Sequence, residues 1–322
     1  MKLVIASLIA ACSLTAISAS AQSPYPTEKP ITIIVPFAAG SGTDVLARAL
    51  IVGMTQNLKG ASFIIDNRPG ANGIIAAGLA AKAAPDGYTL FLTTNTTHSV
   101  NPVIYKKLPY DPNTDFVPVG LLGETAPALL TSANNPVSSI KEMVEISKKK
   151  PGGLNFATAN TSSLAATQLF KLKTGGNFVV ANYKSAPQAL TDLTGGTIDY
   201  FFGDLASGGA LVRGGKLKAL AVVSDKRLPG FPMVPTMADA GYPGVEIAIW
   251  IGLFAPKGTS PEIVEGMNKA LLATQRRPEF VKALNDAAVN VRATSTDVFS
   301  AYVAAQYWNW NKLAKQINLQ AE

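Results

Sequence analysis

Three short stretches carry the residue types that could hold a small anion. They are Phe37-Ala38-Ala39-Gly40-Ser41-Gly42-Thr43-Asp44, Thr93-Thr94-Asn95-Thr96-Thr97-His98 and Thr158-Ala159-Asn160-Thr161-Ser162-Ser163. Each follows a strand-like run and precedes a helix-like one. Small residues let a ligand approach the backbone. A helix start offers unpaired N–H groups and partial positive charge, which suit a carboxylate. Hydroxyls and amides add neutral donors. The set reads as a cradle for a carboxylate that needs neither Lys nor Arg. The bland alternative is that these are turn and cap residues, but three loops at equivalent places favour a shared role.

Two single residues have more than one role open to them. His98 is the chain's one histidine. It could cap its loop or touch the ligand, and alone it makes neither a multi-histidine metal site nor an assignable triad. Asp204 ends the apolar run IDYFFGD. It could bind a ligand amine or hydroxyl, or cap the helix that follows. Facing a site, it would repel a second carboxylate.

The elements that must position these loops alternate. ITIIVPF reads as a buried strand, and a helix follows with Thr43 as its expected N-cap and Val45, Leu46, Ala49 and Val52 on one face. SFIIDN, a turn-rich loop, a small-residue helix and YTLFLTT complete a β-α-β-α-β unit, the pattern of a parallel, helix-flanked sheet. From residue 125 the layout repeats: LNFATAN, NFVVANY, IDYFFGD and LKALAVVS are strands separated by helices. The Pro-rich stretch LPGFPMVPTMADAGYPG punctuates the chain, and IAIWIGLFAPKG and a helical C-terminal part follow. This predicts two α/β lobes, each a mostly parallel sheet flanked by helices. Residues 22–124 plus 226–322 form lobe 1 and residues 125–225 form lobe 2, with crossings near 120–126 and 225–232. In open sheets of this kind the ligand crevice lies at the C-terminal strand ends.

The chain has 322 residues, 48% of them hydrophobic and 15% charged, a globular composition with room for two cores. Residues 1–21 read as a secretory signal peptide: Lys2, an apolar run, then Ala19-Ser20-Ala21. The export this implies is to the periplasm. Cys12, the one cysteine, lies inside that segment, so a mature chain would have neither disulfide nor cysteine nucleophile. Ile9-Ala10-Ala11-Cys12 also resembles a lipoprotein signal, the alternative being a lipid anchor at Cys12. The formal charge of +7 is scattered. Its one dense run, Lys148-Lys149-Lys150, suits a helix C-terminus, so no nucleic-acid partner is expected. A dinucleotide site is disfavoured because the third glycine of the fingerprint falls on Val45. A hydrolase is disfavoured by the missing Gly-x-Ser-x-Gly elbow, although a Lys–Ser or carboxylate pair stays open. Neither cofactor nor metal is expected, and the chain is read as a binding protein, not an enzyme.

Along its whole mature length the sequence resembles the Bug-type receptors, the extracytoplasmic solute-binding proteins of tripartite tricarboxylate transporters. The matching segments include YPTEKPITIIVPFAAGSGTDVLAR, DNRPGANG, APDGYTL, THSVNPVIYKKLPYDPNTDFVPV, LTDLTGGTIDYFFGD, VPTMADAGYPG and GLFAPKGTSPEIV. The resemblance implies a clamshell of two α/β lobes, a small mono- or dicarboxylate ligand, aliphatic or aromatic, and a membrane permease as partner. The protein would act as a monomer. The resemblance maps one carboxylate to Phe37–Asp44 and Thr94–His98. It maps selectivity to Thr158–Ser163, Tyr183–Ser185 and Asp204. One departure stands out: after LNF the chain reads ATANTSSLAA, shorter, with less glycine and without the histidine common there. A ligand sensor for a membrane signalling partner would need the same clamshell.

Overall fold

A computed structural model describes residues 25–319. The expected signal peptide and Cys12 lie outside them. The chain begins with β1 (Ile31–Val35), α1 (Gly42–Asn57), β2 (Phe63–Asn67), α2 (Ile74–Ala81) and β3 (Thr89–Thr94). β1 pairs in parallel with both β2 and β3, as the βαβ reading requires. β3 then breaks into one π-helical turn, Thr96–Val100, followed by the short α3 (Asn101–Ile104).

β4 (Phe116–Thr125) leads directly to β5 (Ala128–Ser132). Then come α4 (Ile140–Lys149), β6 (Leu154–Thr158), α5 (Thr161–Thr174), β7 (Phe178–Asn182), α6 (Ala186–Thr194), β8 (Tyr200–Gly203), α7 (Leu205–Arg213) and β9 (Leu217–Val222). The chain finishes with β10 (Ile249–Pro256), α8 (Pro261–Gln275), α9 (Pro278–Asp286), β11 (Asn290–Val291) and α10 (Thr296–Gln316). Two sheets result, a six-stranded one ordered β11-β4-β10-β3-β1-β2 and a five-stranded one ordered β7-β6-β8-β5-β9. Both are mixed. β10 lies antiparallel between β3 and β4, and β5 lies antiparallel between β8 and β9.

Helix α1 departs from the sequence reading in two respects. Ser41, not Thr43, is its N-cap, accepting from the Asp44 N–H at 3.4 Å. Its buried face runs through Leu46, Ala47, Leu50 and Met54, and Val52 is 60% exposed. The run VLARALIVG is apolar on more than one side, so periodicity alone admits both faces. Packing of α1 beneath β1 and against Met267 and Leu271 of α8 chose between them.

The chain leaves the first sheet at Ala126-Pro127, between β4 and β5. It returns later than residue 226. Leu228, Phe231 and Val234 are buried with Phe201 and Leu190, and Met237, Val245 and Ile247 with Phe156 and Tyr200. The 225–248 segment therefore packs on the second sheet until β10 begins, because its apolar residues fill that sheet's core. Helix α10 spans both units. Its first half buries Phe299 and Val303 against Phe91 and Trp250 of the first sheet, and its last turns bury Trp310 and Ala314 against the second sheet's cluster.

Candidate ligand-binding cleft

Between the sheets lies a cavity with an open volume of about 580 Å³, including space continuous with solvent. Four helices start on it: α1 through Ser41, Gly42 and Thr43, α5 through Asn160 and Ser162, α6 through Ala186, and α7 through Asp204 and Ala206. Thr94 and Thr96, at the π-helical turn, complete the polar wall. Leu46, Ile249, Ile251 and Val289 form an apolar floor. Each helix start contributes N–H groups without intrahelical partners and the positive end of its dipole. Among the described residues that line the cavity there is no Lys, Arg or His, and Asp204 is the one ionisable side chain.

The lobes touch across this cavity. Asn95 Nδ2 donates to Ser162 Oγ at 3.1 Å. Gly42 packs so tightly on Asp204 that a Cβ there would stand 2.2 Å from its Oδ1. Gly40, at φ +80°, faces Pro187.

Of the sequence-selected residues, Phe37, Ser41, Gly42, Thr43, Thr94, Asn160, Ser162 and Asp204 line the cavity together. Thr158, Asn160 and Tyr183 line a second, outer cavity with Asn72, Tyr105, Gln168 and Asn182. Asn160 belongs to both, while its side chain also caps α5 in a reciprocal box with Ser163. The Tyr183 hydroxyl donates to Asp192 at 2.7 Å, and burial together with that carboxylate pushes it up to about 12. Ser185 occupies the N-cap position of α6, next to the lining residue Ala186, and makes no side-chain cap bond. Ala38 works through its carbonyl, which accepts from Ser41 N–H.

Three residues expected to touch the ligand have side chains engaged away from the cavity. The Asp44 carboxylate is turned into its own loop, where it accepts from Gly40 N–H at 2.9 Å and from Arg48 Nε at 2.9 Å and Nη2 at 3.1 Å. Burial raises its pKa, but Arg48, Gly40 and Asn67 together outweigh that and hold it below the ordinary range. Thr97 pairs with Thr93 at 2.8 Å, bonds His98 Nδ1 at 2.9 Å and gives its carbonyl to the Tyr110 hydroxyl. His98 is 2% exposed and stacks on Phe254 at 4.1 Å between ring centres, with Phe116 at 4.7 Å. Burial pushes it down to about 3, so it is a neutral core ring. The reason is the turn itself: a π-helical turn rotates Thr97 and His98 inward and leaves Thr94 and Thr96 on the cleft.

Sequence reasoning missed Thr125, Ala186, Ala206 and the apolar floor. The alternation of Ile249 and Ile251 on β10 was a legible sign of a buried face. Nothing local marks Val289, which reaches the cleft from just before β11.

Two α/β lobes closed over a cavity ringed by helix starts define a solute-binding protein of the clamshell class. The model of the tripartite tricarboxylate transporter family receptor, TctC, matches residues 46–319, and the chain belongs to that family of solute-binding receptors. It is 32% identical over 295 residues to Protein BugT of Bordetella pertussis, covering 91% of this chain and 90% of that one. The structure of the periplasmic binding protein BugD superposes with a TM-score of 0.86 at 32% identity, covering 92% of this chain and 99% of that one. That of R. palustris Rpa4515 with adipate superposes with a TM-score of 0.88 at 32% identity, with the same coverage. Among the described residues no helix is long and apolar enough to cross a membrane.

Proposed function

We propose that this receptor works in the periplasm, captures a small organic carboxylate between its lobes and delivers it to the membrane permease of a tripartite transporter. The observation that carries the reading is the convergence of four helix starts and their hydroxyl and amide groups on one cavity without a cation. Such a site stabilises a carboxylate through dipoles and backbone donors and releases it without breaking an ion pair. The adipate held by the relative supports the ligand class. The lobe division follows the sheets, with crossings near residues 126 and 248, and α10 ties the two lobes. Closure over the ligand gives the permease a shape that reports occupancy. The mature chain, from Gln22, acts as a monomer without cofactor or catalysis.

The test is thermal unfolding of the mature protein, first denatured and refolded to strip bound solute, against aliphatic, hydroxy, amino and aromatic acids with uncharged controls. A carboxylate at a hundredfold excess over its Kd adds about 2.7 kcal/mol to stability, so one acid class should raise the Tm by several degrees. Thr43→Val and Thr94→Val should each weaken that ligand several-fold. A flat response to every acid would sink the reading.

A further inference from the structure

We propose that Asp204 is the specificity-determining residue of the cleft: it selects a ligand that carries one carboxylate and, apart from it, a hydrogen-bond donor, an ammonium or a hydroxyl, and it disfavours a second carboxylate. The inference rests on the carboxylate reading above and narrows it.

Asp204 is the one ionisable group on the cavity wall, and none of the described lining residues is a cation. A ligand with two carboxylates would bring a second negative charge into a space where only helix starts offset the first. Like charges in a desolvated site oppose each other strongly at short range. Asp204 is held in place. Its Oδ1 accepts from Ser207 N–H at 2.7 Å and from Ser207 Oγ at 2.9 Å, which caps α7. Both bonds fall on Oδ1, and a carboxylate has further lone pairs to offer. The same group packs against Gly42 of the first lobe, so it stands where the two lobes meet. Burial without a neighbouring cation pushes its carboxyl above the ordinary range. A donor from the ligand relieves that cost: an ammonium supplies the missing cation and a hydroxyl a neutral bond. The apolar floor of Leu46, Ile249, Ile251 and Val289 suits the carbon chain between the ligand's two ends.

Calorimetric titration would use a matched panel running from propionate to adipate in length, in which the far end is a methyl, hydroxyl, ammonium or second carboxylate. The wild type should bind a hydroxy or amino acid most tightly and the dicarboxylate of equal length at least about tenfold more weakly. Asp204→Asn keeps the helix cap, because Asn caps as well as Asp. It should shrink that ratio about tenfold and weaken the ammonium ligands most. A dicarboxylate that binds the wild type as tightly as its hydroxy and amino partners overturns the inference, as does a ratio that Asp204→Asn leaves unchanged. In both cases the carboxylate reading stands. Absence of binding by every acid removes that reading and this inference with it.

Discussion

The two walls of the cleft are built differently. On the first lobe several loop side chains bond within the lobe itself. Asp44 bonds Gly40 and Arg48, Asn67 donates to the Phe37 carbonyl at 2.9 Å, and Thr93, Thr97, His98 and Tyr110 form a chain of hydrogen bonds. Their polar side chains hold shape, and what they present to the cavity is backbone and Thr hydroxyls. On the second lobe the groups at the helix starts face the cavity while capping. Asn160 and Asp204 each spend one oxygen on a cap and stand on the wall. The first wall is a fixed cradle for an anion, and the second is where a change of side chain alters the ligand with little change in the fold.

The largest effect should come from breaking the first wall. Asp44→Ala removes the buried acceptor of Gly40 N–H and of the Arg48 guanidinium. A loss of about 2 kcal/mol is expected in urea unfolding, discounted because Arg48 is more than half exposed. Its pH signature has a definite sign. The folded pKa lies below the unfolded value of about 4, so the stabilisation is complete above that pH and is lost as pH falls through the folded value. Urea midpoints of wild type and variant should converge below about pH 4; parallel curves would show that Asp44 is not the brace.

A smaller effect is expected where the walls meet. Gly42→Ala places a methyl against Asp204, which Ser207 holds. Gly42 is in the first turn of α1, where Ala is well tolerated, so the unliganded protein should unfold within about 1 kcal/mol of wild type. The ligand should bind at least about tenfold more weakly, because the closed form is penalised. Small-angle scattering checks the cause: the ligand should no longer reduce the radius of gyration. Full compaction in the variant would place closure elsewhere.

His98→Phe should have the smallest effect. The ring stays in its aromatic stack, and carboxylate affinity should remain within about twofold. Stability should change in its pH dependence. In the wild type the folded pKa of about 3 lies below the unfolded value of 6.5, so the unfolded chain takes up a proton first. Stability is full above about pH 6.5 and falls on the order of 1 kcal/mol per pH unit down to about 3. The variant should lack that limb between pH 6.5 and 5. A large loss of affinity would return His98 to the ligand.

The strand-helix alternation and the Gly, Ser and Thr loops at strand ends were legible because period and turn chemistry are local properties. They yielded the two α/β units and eight of the residues that share the cavity. Fine placement was less legible. Thr97 and His98 are of the right types in the right loop, and only the π-helical turn sends them into the core. Asp44 sits beside the cleft, and its pairing with Arg48 four residues on turns it away.

The sequence by itself determined that this chain alternates strands and helices twice, that its strand ends carry anion-suited loops, and that its motifs are those of one receptor family. Those are matters of composition, period and spacing along the chain. Only the tertiary structure decided that the 225–248 segment packs on the second sheet, that α10 ties the lobes, that β10 and Val289 floor the cavity, and that Asp204 meets Gly42 without a compensating cation. The physical reason is that burial, electrostatic environment and contact across a cleft depend on residues far apart in sequence, which meet only once both sheets have formed and closed.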